Sequence, residues 1–196
     1  KFLPNGNCVK TKERIGAGNK AIVLFVGRLI PRKGLSRLLE AARRIVRESS
    51  ETLFVIVGDG PLRSQIVNEV NNSGLANNFV FLGDVAETEL PLLYGCADVF
   101  AFPSFQEGQG IVLLEAQATA LPVVAFNVSG VAEAVVNNQT GLLVEPNSDN
   151  FAEAILTLLA DETLRRNLGA RGRERVLREL TWDICAQKML SVYREL

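Results

Sequence analysis

Histidine is absent from all 196 residues, which removes the commonest general base and the commonest zinc ligand. Cysteine is sparse: Cys8, Cys96 and Cys185 are scattered, odd in number and without any Cys-x-x-Cys spacing. That usage fits a reduced, cytoplasmic setting in which the thiols serve as small core residues. Neither charge sign is in surplus, at 21 basic against 22 acidic groups. Nucleic acid is thereby excluded as a dominant partner, because neutralising phosphates needs clustered excess Lys and Arg. No apolar run approaches the roughly 18 residues of a membrane span, and no secretory signal opens the sequence. Methionine occurs once, at Met189. With no initiator at its start, the chain is expected to be a fragment or a processed chain, with a share of its function in the missing part.

What is present is ordinary for a globular protein, with 47% hydrophobic and 22% charged residues, enough for one sizeable core. Short apolar runs rich in β-branched residues predict strands at Ala21–Val26, Thr52–Val57, Phe79–Leu82, Asp98–Phe102, Pro122–Phe126 and Gly141–Val144. Between them lie helical patterns. Leu35, Leu38, Leu39, Ala42, Ile45 and Val46 recur at helical spacing, with Arg37, Arg43, Arg44 and Arg47 on the other face. Pro61 suits the first turn of a helix running to about Asn72. A short helix is expected near Glu87–Tyr94 and another over Gly110–Ala120, and from Ser148 onward the pattern is helical throughout, with Thr181 as N-cap of the last helix. Strands alternating with helices indicate βαβ units. The expectation is one domain over 1–196, without linker or repeat: an α/β, doubly wound, mostly parallel six-stranded sheet with a helical C-terminal segment.

In open parallel sheets ligands bind beyond the carboxyl ends of the strands, so the residues after each strand are a test for a site. The first strand leads to Gly27-Arg28 and Arg32-Lys33-Gly34, the second to Gly58-Asp59-Gly60, and the third to Gly83-Asp84. The fourth leads into Pro103-Ser-Phe-Gln-Glu-Gly-Gln-Gly110, and the fifth into Asn127-Val-Ser-Gly-Val-Ala-Glu133. A glycine-rich loop opening a helix, as at Glu107-Gly-Gln-Gly110, offers unpaired amides and the positive end of the helix dipole to a diphosphate. Arg28 and Lys33 can add cationic contacts to the same phosphates. Glu107 and Glu115 can accept hydrogen bonds from sugar or ribose hydroxyls, Glu115 from a different part of the ligand, because it stands more than one turn into the helix. Plainer readings stand beside these. Arg28 and Lys33 also read as solvated loop charges, Glu107 and Glu115 as surface carboxylates, Asp59 as a turn residue, and Phe102, Phe105 and Phe126 as core or loop anchors.

Pro103-Ser-Phe-Gln-Glu-Gly-Gln-Gly-Ile-Val-Leu-Leu-Glu-Ala-Gln-Ala, followed by Leu121-Pro-Val-Val124, resembles the donor-binding signature of glycosyltransferase family 4, the large retaining group with the GT-B fold. Gly27-Arg28-Leu29, Lys33-Gly34, Gly58-Asp-Gly-Pro61, Phe81-Leu-Gly83 and Ser129-Gly130-x-x-Glu133 match in order and spacing, and Leu3-Pro-Asn-Gly6 is similar to the end of that family's interdomain segment. The resemblance covers essentially the whole chain. It implies the Rossmann-like C-terminal half of a two-domain enzyme that moves a sugar from a UDP- or GDP-type nucleotide sugar to an acceptor held by an absent N-terminal domain. The chain alone is then an inactive fragment, and the full enzyme is cytoplasmic or peripheral to the inner face of a membrane.

The resemblance also implies roles at matching positions. Arg28 and Lys33 grip the donor diphosphate and stabilise the departing nucleotide without a metal, and no further cofactor is needed. Glu107 contacts hydroxyls of the transferred sugar. Gly27, Gly108, Gly110, Ile111 and Val112 line the donor, with Gly110 and Ile111 supplying amides to phosphate. Glu115 holds the ribose hydroxyls. Gly60, Pro61 and Leu62, with Phe81 and Leu82, border the base. Departures from the signature fall at Gln109, usually aromatic, at Gln117, usually Met, and at Ala120, usually Gly; the last two read as packing variation. Two other readings compete. A dinucleotide-dependent dehydrogenase needs Gly-x-Gly-x-x-Gly after the first strand, which Gly27-Arg-Leu-Ile-Pro-Arg-Lys-Gly34 does not supply. A non-catalytic nucleotide-binding or interaction domain on the same scaffold is the other.

Overall fold

Alternate residues of Ala21–Val26 point to opposite sides of a sheet: Val23 and Phe25 join one apolar cluster, Ile22, Leu24 and Val26 the other. Period-two alternation inside an unbroken apolar run is what burial on both faces requires. The computed structural model describes residues 2–4 and 8–194. Its strands are β1 (Ala21–Val26), β2 (Thr52–Val57), β3 (Phe79–Gly83), β4 (Val99–Phe102), β5 (Val123–Phe126) and β6 (Gly141–Val144). All pair in parallel in the order β3-β2-β1-β4-β5-β6. The chain winds outward from β1 to β3, returns to the middle, and winds the other way from β4. Neighbouring crossovers therefore diverge between β1 and β4, leaving a crevice at the carboxyl ends of the strands.

One face of the sheet is covered by α2 (Leu35–Glu48), α3 (Arg63–Asn72) and α7 (Ser148–Ala160), with Leu38, Phe54, Ile66, Phe126, Phe151 and Ile155 fully buried between them. On the other face lie α4 (Leu90–Cys96), α5 (Ile111–Ala118) and α6 (Val131–Ala134), burying Tyr94, Phe100, Leu113 and Val131. In front of them α1 (Cys8–Arg14) packs on α4. The chain finishes with α8 (Glu162–Glu179) and α9 (Trp182–Arg194). Arginines of α8 act as carbonyl caps for other helices, whose last C=O groups lack intrahelical partners. Arg165 donates to the Leu158 and Leu159 carbonyls of α7, and Arg175 to those of Glu133 and Ala134 in α6. Arg173 reaches the Ala118 carbonyl at the end of α5. Thr181 caps α9, its hydroxyl accepting from the Ile184 amide at 3.3 Å.

Four local expectations change. Cys8 and Cys96 are joined in a disulfide, Cα atoms 5.2 Å apart, so of the three cysteines only Cys185 is free, and it is exposed. A separation of 88 residues carries no spacing signal; the pair meets because α1 docks on α4. The argument for a reducing compartment loses the support it took from unpaired thiols. Pro61 lies in the turn before α3, which begins at Arg63. The expected Glu87–Tyr94 helix is Leu90–Cys96.

The fourth concerns Ala120. The helix expected to reach it ends at Ala118, and Ala120 takes a left-handed conformation at φ 59°. There the Ala120 amide bonds to the Gln117 carbonyl at 2.9 Å and the Leu121 amide to that of Ala116 at 3.0 Å. This is a Schellman ending, whose left-handed position normally carries glycine. The departure at Ala120 is thus a matter of backbone conformation rather than packing. Helix α1 was not anticipated, and the Asn5-Gly6 part of the interdomain-like segment lies outside the described residues. Among the described residues, no helix is long and apolar enough to cross a membrane.

Candidate functional site

The loops leaving β1, β4 and β5 form one continuous rim. After β1 the chain makes a single 3-10 turn, Pro31–Lys33, and enters α2 through Gly34 at φ 70°. A Cβ on Gly34 would stand 1.9 Å from the Pro103 carbonyl oxygen, so only glycine lets the two loops touch. Arg32 completes the join. Its carbonyl accepts from the Phe105 amide at 2.8 Å and the Ser104 hydroxyl at 3.2 Å. The loop after β5 is seated the same way: a Cβ on Gly130 would lie 2.2 Å from the Glu107 carbonyl oxygen. Gly34 and Gly130, two of the glycines in the strand-end loops, thus serve to pack loop against loop.

This rim brings Lys33 and Glu107 together from 74 residues apart. The Lys33 ammonium donates to Glu107 Oε2 at 2.5 Å, and the two side chains are only 14% and 12% exposed. The same ammonium sits 5.3 Å from the centre of the Phe102 ring, an added cation–π contact. Glu107 Oε1 accepts from the Gly108 amide at 3.3 Å. Gly110 precedes α5, whose first residues, Ile111 and Val112, are 53% exposed and half-buried respectively. Their amides belong to the first helical turn, which has no intrahelical acceptors for them. Glu115 stands in the second turn of α5, where the Tyr94 hydroxyl donates to its Oε2 at 3.0 Å. Burial, and then the Glu115 charge, push the Tyr94 phenol well above its ordinary range. Gln109 is exposed on the same loop.

On the other side of the rim, Leu29 is the strut. Its amide donates to the Asp59 carbonyl at 2.9 Å, and its own carbonyl accepts from the Leu62 amide at 3.0 Å. Gly60, Pro61 and Leu62 are thereby held against the β1 loop, and Asp59 folds back on the Gly60 amide at 2.6 Å, the turn role foreseen for it. Gly27, exposed Arg28, Asp59, Asp84, Val85 and Leu90 line a crevice of about 370 Å³. Phe81 and Leu82 send their side chains to the two apolar faces, where both are partly buried, and neither is among the residues lining this crevice. Val85 and Leu90, one step further along the chain, line it and were missed. So was Tyr94, whose place beside Glu115 depends on the packing of α4 against α5. A larger hollow of about 610 Å³ along Arg43, Gln65 and Asn72 lies on the helical flank, away from the strand ends.

Comparison with known proteins gives the family and the fold. Residues 10–175 match the family described as glycosyl transferases group 1. A GDP-mannose-dependent alpha-(1-6)-phosphatidylinositol monomannoside mannosyltransferase of Mycobacterium tuberculosis is 38% identical over 93% of this chain and 50% of its own length. Among solved structures, a sucrose-phosphate synthase from Thermosynechococcus elongatus superposes with a TM-score of 0.88 at 33% identity, over 99% of this chain and 49% of its own. An Anabaena protein in complex with UDP gives 0.89 at 25% identity, over 97% and 53%. The chain spans about half the length of the curated relatives it matches. The doubly wound sheet is the Rossmann-like fold of GT-B glycosyltransferases, and the chain belongs to the group 1 glycosyl transferases.

Proposed function

We propose that this chain is the donor-binding half of a retaining family 4 glycosyltransferase. It holds a nucleotide-diphosphate sugar while an N-terminal domain presents the acceptor. The observation that carries the reading is the meeting of Lys33 and Glu107 on one rim with the opening of α5. A diphosphate between them has cations on one side and helix amides on the other, and a sugar beyond it meets a carboxylate.

As the bond between the sugar and the β-phosphate breaks, negative charge builds on the leaving nucleoside diphosphate. The Lys33 ammonium, the Arg28 guanidinium and the amides at Gly110, Ile111 and Val112 lie along the rim where that charge appears, and donors aimed at developing charge lower the barrier. No metal is required in this scheme, because the two side-chain cations carry the neutralisation. Glu107 accepts from sugar hydroxyls once phosphate has drawn Lys33 away, and Glu115 takes the ribose hydroxyls. The crevice beside Gly60, Asp84 and Val85 receives the base. The 38% identical relative named as GDP-mannose-dependent favours GDP, and the UDP complex of the Anabaena protein supplies the alternative. Transfer with retained configuration, a cytoplasmic site of action and any membrane association belong to the whole enzyme and form part of the same proposal.

Replacing one phosphate-binding cation is expected to cost about 1.5–3 kcal/mol of binding. Calorimetric titration of Lys33→Ala and Arg28→Ala with GDP and UDP, beside urea unfolding of the same variants, checks this. Large losses of affinity with near-parent unfolding are expected; unaltered affinity in both variants contradicts the assignment.

A further inference from the structure

Tyr94 is a buried polar side chain that the sequence did not connect to the site. It lies in α4 and is 1% exposed. Its ring meets Phe2 edge-on at 5.8 Å and Phe100 at 5.5 Å. Phenylalanine would fill nearly the same space, so packing alone does not account for the hydroxyl. That hydroxyl is spent on Glu115, at 3.0 Å from Oε2. A phenol keeps its proton at neutral pH, so facing the carboxylate at this distance it is the donor of the pair.

Glu115 sits on the second turn of a short helix and carries a flexible side chain with a terminal carboxylate. Fixing such a group on a ligand costs rotamer entropy at the moment of binding. A hydrogen bond from a rigid, buried ring settles that cost beforehand and sets the plane of the carboxylate. We propose that Tyr94 is a positioning residue for ribose recognition: its hydroxyl holds the Glu115 carboxylate in the orientation that accepts the donor's ribose hydroxyls. This rests on the reading that Glu115 takes the ribose. Selectivity for ribonucleotides over 2′-deoxyribonucleotides is then set jointly by α5, which supplies the carboxylate, and α4, which aims it.

Titration of the parent, Tyr94→Phe and Glu115→Ala with GDP, UDP, 2′-deoxy-GDP and 2′-deoxy-UDP tests this, with urea unfolding as a control for fold. Tyr94→Phe is expected to weaken ribonucleotide binding roughly three- to ten-fold. It should weaken the 2′-deoxy compounds less, since they offer Glu115 only the 3′ hydroxyl, so the ribo-to-deoxy ratio shrinks in the same direction as in Glu115→Ala. A merely structural tyrosine would weaken both sugars alike and leave the ratio at its parent value. That result, with the ratio still collapsing in Glu115→Ala, overturns the role of Tyr94 alone. A ratio untouched by Glu115→Ala overturns the ribose reading and the Tyr94 proposal together.

Discussion

Lys33 and Glu107 satisfy each other in the ligand-free chain, and a diphosphate has to compete with that ion pair for the ammonium. The competition makes opposite forecasts for two ligands of one residue. Glu107→Gln removes the charge that holds Lys33, so binding of the bare nucleoside diphosphate should stay at parent strength or tighten. The same change weakens the acceptor facing the sugar, so the advantage of a nucleotide sugar over its nucleoside diphosphate should fall roughly three- to ten-fold. Affinities of Glu107→Gln for GDP and GDP-mannose, and for UDP and UDP-glucose, measured in parallel, decide it. Equal losses for sugar-bearing and bare nucleotides would show that Glu107 acts only as a structural partner of Lys33.

At the level of elements, the end of α5 offers a separate forecast. Ala120 occupies the left-handed position of the Schellman ending at φ 59°, a conformation costing an L-residue about 1–2 kcal/mol. Ala120→Gly relieves that strain and adds entropy to the unfolded chain, for a net gain of about 0.5–1 kcal/mol. A rise in the urea midpoint at constant slope is expected, and a fall would mean that the Ala120 methyl group contributes packing the backbone argument ignores. Most elements were legible in the sequence because each strand is a short apolar run, with a glycine at the end of β1, β2 and β3, and because α2 shows an apolar stripe of Leu35, Leu38, Leu39, Ala42 and Ile45. Helix α1 was not, since Cys8–Arg14 buries only Thr11 and so leaves almost no apolar pattern. The Cys8–Cys96 disulfide escaped notice because it depends on α1 docking on α4, which a separation of 88 residues does not announce. Within the candidate site, glycine loops and a helix opening marked in the sequence the edge where the structure places Lys33 and Glu107 together and Glu115 one turn further into α5. Tyr94 was not legible. Its apolar neighbours Leu92 and Leu93 make α4 read as plain core, and its hydroxyl finds Glu115 only through the docking of α4 on α5.

For the molecule as a whole, the sheet order brings the loops after β1, β4 and β5, with Arg28, Lys33, Glu107 and Gly110, to one edge, while the helical C-terminal segment closes the carbonyl ends of α5, α6 and α7. Helix α9 has no buried residue, and Trp182 is 83% exposed. A chain spanning half of its relatives is proposed to bind the donor without completing transfer. The central claim is therefore one of binding: a nucleoside diphosphate sits on the strand-end rim, held by side-chain cations and helix amides. Calorimetric titration of the 196-residue chain with GDP, UDP, ADP and NAD, in a chelator and without added metal, tests it most directly. Saturable binding of GDP or UDP in preference to the other two is predicted; binding of NAD alone, or of none of the four, would contradict it.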